Sequence, residues 1–253
     1  MYNHASGDRD KILASAHAHL VFWGSSWASP PQAGTITRKE VTNALTSIVN
    51  SNYLDGVMEY SKDIAKVSAP DSTVITDSFP SSEPPDTTAA FTSRWVVDGK
   101  VPFSTTIDDL YFVILPQGAD AGAGYGAGYH YSANALLGGR SFSVPFVIIR
   151  TDGFDISEIS DTLSHELVEA VANPFGSAVY GRGAHTARTP DCNVNVDDTA
   201  CELADVCDPS GPYNVNDAKT ADGYALAAYW LQSKTTCSLT CSLKKAPTIG
   251  GEF

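Results

Sequence analysis

Phe142-Ser143-Val144-Pro145-Phe146-Val147-Ile148-Ile149, followed after a short turn by Asp155-Ile156-Ser157-Glu158-Ile159 and on to Ala172-Asn173-Pro174, reads as a buried strand handing over to an amphipathic helix. The first segment is almost continuously apolar, as expected of a strand covered on both faces, and Pro145 within it calls for a bulge or an edge. The helix begins near Asp155 to Ser157, residues able to cap it, and stops at Asn173-Pro174 because proline forbids continuation. Ile156, Ile159, Leu163, Leu167 and Ala170 recur at helical spacing and form its core stripe.

Working outward, Asp109-Leu110-Tyr111-Phe112-Val113-Ile114-Leu115 is a second central strand, and His19-Leu20-Val21-Phe22-Trp23-Gly24 a third that closes on a turn. Thr37-Arg38-Lys39-Glu40 is a capping box, with Val41, Leu45, Ile48 and Val49 continuing a helix. Ser72 to Thr76 is a short strand candidate, the Ser/Pro/Asp-rich stretch from Asp77 to Thr88 a surface loop, and Gly118 to Gly139 a glycine-rich loop. Gly122-Ala123-Gly124-Tyr125-Gly126-Ala127 formally fits a dinucleotide fingerprint, but no helix pattern opens there and no acidic residue ends a following strand, so a plain loop is the better reading. These elements make an α/β or α+β single domain with a mixed central sheet over residues 1–243. Its first part, 18–174, carries the sheet and the functional helix; 175–243 is loop-rich, and 244–253 forms a tail.

The chemistry concentrates in Ser164-His165-Glu166-Leu167-Val168-Glu169. At i and i+4, His165 and Glu169 lie one above the other on a helical face, where both can reach one divalent metal. Glu166 then flanks the ion's open position as general base, the layout of the His-Glu-x-x-His zinc hydrolases with a carboxylate in place of the second histidine. Zinc is the first expectation, and the harder ligand set also admits manganese, calcium or magnesium. On the helical wheel the pair falls away from the core stripe, so it either lines a cleft or meets water. A third ligand is expected from Cys201-Glu202-Leu203-Ala204-Asp205-Val206-Cys207, with Asp205 ahead of Glu202. His130, set among glycines and aromatics, and its neighbour Tyr129 are candidates to stabilise a developing oxyanion.

Sixteen basic against twenty-nine acidic side chains give a net charge of −13, which argues against nucleic acid or an anionic membrane as partner. Cys192, Cys201, Cys207, Cys237 and Cys241 all fall in the last quarter in Gly-, Asp- and Asn-rich surroundings, without a Cys-x-x-Cys pair. That pattern favours disulfides over a thiolate metal site, with one thiol left over, and hence a secreted protein, extracellular, periplasmic or at the cell surface.

His165-Glu166-Leu167-Val168-Glu169-Ala170-Val171-Ala172-Asn173-Pro174, then Glu202-Leu203-Ala204-Asp205-Val206-Cys207, then Tyr229-Trp230 and Cys237, resembles a group of exported microbial proteins with the pattern HELxEAxT(D/N)P...GEIGDxC...YW...C, regarded as metallopeptidases. Trp23-Gly24 and Gly128-Tyr129-His130 resemble that group as well. Asn173-Pro174-Phe175-Gly176 and the C-terminal cysteine are more distantly similar to the plant exordium, or phosphate-induced, proteins, which lack the His-Glu of the helix. The resemblance implies a zincin-like site in which His165 and Glu169 are ligands and Glu166 the base. It further implies that Cys207 pairs with Cys237 and Cys192 with Cys201, stapling the C-terminal region and leaving Cys241 over. The chain departs from the pattern at Asn173, where aspartate is common, and at Ala204, where glycine is common.

Two functions follow as expectations. One is a secreted metal-dependent hydrolase, a zinc metallopeptidase acting on a peptide or protein. The other is a non-catalytic, exordium-like secreted or cell-surface binding module, in which the same acids hold a structural ion such as calcium or none, and aromatic side chains line a groove.

Overall fold

The described residues of the computed structural model are 3–4, 13, 15–32, 34–59, 66–79, 85–104, 108–119, 127–175, 179–180, 203–204, 207, 218–231 and 236–238. The main elements are β1 (Ser15–Trp23), α1 (Arg38–Asn50), β2 (Lys66–Ile75), α2 (Pro85–Val97), β3 (Asp108–Ile114), β4 (Gly128–Leu137), β5 (Arg140–Ile149) and α3 (Ile156–Ala172). They build a mixed α/β fold around a five-stranded sheet of order β2-β1-β3-β5-β4. The first four of these strands in space run parallel, and β4 lies antiparallel to β5 at the edge.

Connection lengths explain the order. Parallel strands need a crossover, which α1 supplies between the neighbours β1 and β2, and α2 between β2 and β3, which lie on either side of β1. α1 and α3 cover one face, where Val41, Leu45, Ile48, Ile159, Leu163 and Leu167 pack on Ala18, Leu20, Phe22, Phe112 and Val147. α2 covers the other, where Trp95 and Val96 meet Val21, Trp23, Val113 and Ile148. Both faces being buried, β1, β3 and β5 carry apolar residues at successive positions. Each fully buried Leu, Ile or Phe contributes roughly 1.5–3 kcal/mol.

The capping box expected at α1 forms, and the cap expected at α3 is a full capping box as well. Thr37 Oγ1 accepts from the Glu40 amide at 3.2 Å and the Thr37 amide donates to Glu40 Oε2 at 2.8 Å. At α3, Asp155 Oδ1 accepts from the amides of Ser157 and Glu158 at 2.7 and 3.0 Å, and the Asp155 amide donates to Glu158 Oε2 at 2.7 Å. Asn173 ends the helix, its amide donating to the Glu169 carbonyl at 2.6 Å.

Three sequence expectations need correction. β2 extends well before Ser72; as an edge strand with Lys66, Ser68 and Asp71 it lacks the apolar signal of the central strands. α2 begins at Pro85, inside the stretch read as loop, because proline fits the first turn of a helix, where its missing N–H costs nothing. The second half of the glycine-rich loop is β4, joined to β5 by the two-residue turn Gly138-Gly139 with φ of 56° and 79°. Positive φ at both positions is what a hairpin turn matched to strand twist requires. The edge expected at Pro145 is a local one, within a strand that is central further along. Pairing of β5 with β3 starts at Phe146, so Pro145 lies where β5 is paired only to β4, through Ser132.

Candidate metal centre

The second half of α3 is buried on almost every side, which the helical wheel alone does not predict. Ser164, Glu166, Leu167, Val168 and Glu169 are all buried, Glu166 at 5 % and Glu169 at 3 % exposure. The cover comes from distant chain segments. β4 crosses one flank, and Leu203 and Ala204, both 1 % exposed, cover another, the Ala204 amide donating to Glu169 Oε1 at 3.2 Å. A third contact is the turn at Ala227, whose amide donates to Ser164 Oγ at 2.8 Å. The Tyr53 hydroxyl lies 2.8 Å from the Ala227 carbonyl and 3.2 Å from the Ser164 carbonyl, tying this segment to the helix. Burial, reinforced by Tyr229 beside it, holds the Tyr53 phenol well above its ordinary pKa, so it acts here as a neutral donor.

Within this shell His130, Glu166 and Glu169 converge. His130 Nδ1 lies 3.4 Å from Glu166 Oε2 and 3.7 Å from Glu169 Oε2, and all three side chains are at most 7 % exposed. His165 reaches the other oxygen of the same carboxylate, Nε2 to Glu169 Oε1 at 3.3 Å, and is 21 % exposed. Glu169 is therefore the shared member of two contacts, one deep and one nearer solvent. Gly128 permits the approach: a Cβ there would stand 2.7 Å from Thr162 Cγ2 and 3.2 Å from Glu166 Cγ. Alternation along β4 then turns His130 to the same face as Gly128.

The donor set suits a cation. Ligand atoms bound tetrahedrally at 2.0–2.2 Å stand about 3.3–3.6 Å apart, and the spacings of 3.3, 3.4 and 3.7 Å fall on or close to that range. His130, Glu166 and Glu169 each offer a ligand atom within 4.8 Å of the others. One imidazolium balances one carboxylate charge, whereas a divalent ion balances two, and buried charge is costly unless matched.

The helix pair expected from sequence is thus in contact, and Glu166 and His130 join it. Their arrangement differs from the expected one: Glu166 and His130 stand with Glu169 in the tightest group, and His165 lies beside it. Tyr129 faces the opposite side of the sheet, against the cluster under α2, and is not brought to the site. That follows from its odd position on a strand whose even positions face α3. Glu202, Asp205, Cys192 and Cys201 lie outside the described residues. Cys207 is buried and disulfide-bonded; the backbone of Cys237 pairs with Trp230 in a short hairpin. Sequence reading missed Gly128, Ser164 and Tyr53. Only Gly128 left a signal, a glycine two residues before a histidine in what is now seen as a strand.

Among the described residues no helix is long and apolar enough to cross a membrane. Comparison of the chain with family models, with curated proteins and with solved structures returns no match.

Proposed function

We propose that the protein is a metal-dependent hydrolase, a secreted metallopeptidase, whose cation is held by His130, Glu166 and Glu169. The observation that carries this is the convergence of two buried carboxylates and a buried imidazole at 3.4 and 3.7 Å, with His165 adjoining at 3.3 Å. A bound divalent ion, zinc by preference for this mixed nitrogen and oxygen set, supplies Lewis acidity and lowers the pKa of water. His165, the most exposed of the four, takes up the proton, and its contact with Glu169 orients the ring. The apolar shell of Leu167, Val168, Leu203 and Ala204 keeps bulk water from the carboxylates, which strengthens every charge interaction inside.

A peptide substrate is supported by the position of β4. It ends the sheet, no strand pairs with its outer side among the described residues, and it carries His130. An extended chain can add to such an edge through main-chain hydrogen bonds and pass beside the cluster. The resemblance of the helix and of residues 202–207 to exported microbial metallopeptidases supports the same reading, as does the disulfide at Cys207, with Cys237 as its proposed partner.

The spacing of His165 and Glu169 favours a second arrangement of the same chemistry, in which these two are ligands with a third from Glu202 or Asp205, and Glu166, oriented by His130, is the base. Glu166→Gln separates them. If Glu166 is a ligand, metal content falls together with hydrolysis; if it is the base, the metal stays and turnover alone is lost. A variant that retains full hydrolysis of a casein or peptide-library substrate would overturn both.

A further inference from the structure

A second constellation lies on the other face of the sheet, at β1. His17 and His19 are two apart on that strand and therefore share a face, with ring centroids 4.5 Å apart. Opposite them β2 is irregular: His17 pairs with Ser68 but His19 with Asp71, so β2 carries one extra residue there. In a regular strand positions three apart point to opposite faces; the bulge at Ala69-Pro70 turns Ser68 and Asp71 to the same side, toward the histidines.

Each imidazole is then oriented through one nitrogen and presents the other to Asp71. His17 Nδ1 lies 2.6 Å from Ser68 Oγ, and its Nε2 lies 3.4 Å from Asp71 Oδ2. His19 Nε2 lies 2.9 Å from Asp109 Oδ1, and its Nδ1 2.8 Å from Asp71 Oδ1. Asp109 is itself fixed, its Oδ2 accepting from the Ser104 amide at 2.5 Å, and Tyr111 stacks on the His19 ring at 5.0 Å. Imidazoles held by an oxygen at the far nitrogen are the usual supporting arrangement of metal-ligating histidines. An ion-pair role explains His19 between two aspartates, but not the anchoring of His17 by Ser68.

The geometry points to a second divalent-cation site, in which His17 Nε2, His19 Nδ1 and the Asp71 carboxylate hold a zinc or ferrous ion with its remaining positions open to solvent. The three ligand atoms lie within 4.8 Å of one another. The back of the site is closed and its mouth open: the His19 side chain is 4 % exposed, those of His17 and Asp71 36 % and 47 %. Two histidines and one carboxylate with free positions suit zinc or non-haem iron. This site is separate from the α3 cluster, being on the opposite face and three strand spacings, about 14 Å, away across the sheet. It does not depend on the hydrolase reading. The competing occupant is a proton: burial opposes it on His19, and the bonds to Asp109 and Asp71 outweigh burial and hold its proton affinity above the ordinary imidazole range.

The test uses Glu169→Gln protein, in which the α3 cluster is disabled, stripped with chelator and titrated with Co²⁺. One equivalent is expected to bind, with visible d–d bands and paramagnetic displacement of the His17 and His19 ring resonances. Ser68→Ala in that background should weaken binding about 10- to 100-fold, and His17→Ala should weaken it further. Absence of Co²⁺ uptake by a folded Glu169→Gln chain, unmoved histidine resonances, or affinity unchanged by both added substitutions overturns the site. Should Glu169→Gln fail to fold, wild type compared with His17→Ala gives the same reading as a difference of one equivalent.

Discussion

Replacing Gly128 by alanine tests whether the close approach of β4 to α3 builds the proposed metal centre. The new methyl carbon would lie 2.7 Å from Thr162 Cγ2, 2.8 Å from the Ile148 carbonyl oxygen and 3.2 Å from Glu166 Cγ. Comfortable carbon contacts begin near 3.5 Å, so roughly 0.7–0.8 Å must be recovered. Thr162 can turn its side chain away, but the Ile148 oxygen belongs to the backbone of β5 and cannot, so β4 itself has to retreat. Overpacking of this kind costs about 1–3 kcal/mol. The same retreat opens the contact of His130 with Glu166 from 3.4 Å to about 4 Å, beyond the ligand spacing of a small cation. Misplacement approaching 1 Å lowers turnover by about 10²-fold. Urea unfolding reads the first effect, and metal titration with peptide hydrolysis the second. Thr162→Ser in the same chain removes only the Cγ2 contact and should recover part of the loss. Wild-type unfolding midpoint and wild-type metal affinity in Gly128→Ala would refute the reasoning.

Two further outcomes are expected. Tyr53→Phe leaves the buried carbonyls of Ser164 and Ala227 without their shared donor and should destabilise the fold by about 1–3 kcal/mol in urea unfolding, while loosening the 225–229 segment over α3. At Asp77, the Lys100 ammonium donates to both oxygens at 2.8 and 2.7 Å and, outweighing the opposite effect of partial burial, holds the carboxyl below its usual pKa, with help from the Trp95 indole. A folded pKa below the unfolded one stabilises above the unfolded value of about 4 and is lost as pH falls through the folded one. Asp77→Asn should therefore lower stability near neutrality by under about 1 kcal/mol, the range of a partly exposed pair, and the gap should close in unfolding curves taken below about pH 4.

What the sequence disclosed depended on where each signal originates. β1, β3 and β5 are legible because two-sided burial writes Leu20 to Trp23, Leu110 to Leu115 and Phe146 to Ile149 as unbroken apolar runs, and α1 and α3 because their capping boxes are local. β4 is not, since as an edge strand it buries little beyond Ala133 and Ala135. α2 hides for a similar reason, being rich in threonine and serine around a few buried anchors such as Trp95. The i, i+4 relation of His165 and Glu169 is legible from one helix. Their burial is not, because the cover is supplied by β4, by Leu203 and Ala204, and by Ala227, none of them near in sequence. The His17 and His19 pair is not read from the sequence, because the apolar run marks that strand only from His19 onward whereas it begins at Ser15, and Asp71 joins them only through a bulge that spacing does not announce.

The most direct measurement is the divalent metal carried per chain after purification without chelator, compared between wild type and Glu169→Gln by elemental analysis. Glu169 touches both imidazoles of the α3 cluster, so the account predicts that the variant holds one equivalent fewer than wild type while keeping its fold. Equal metal content in the two proteins would contradict it.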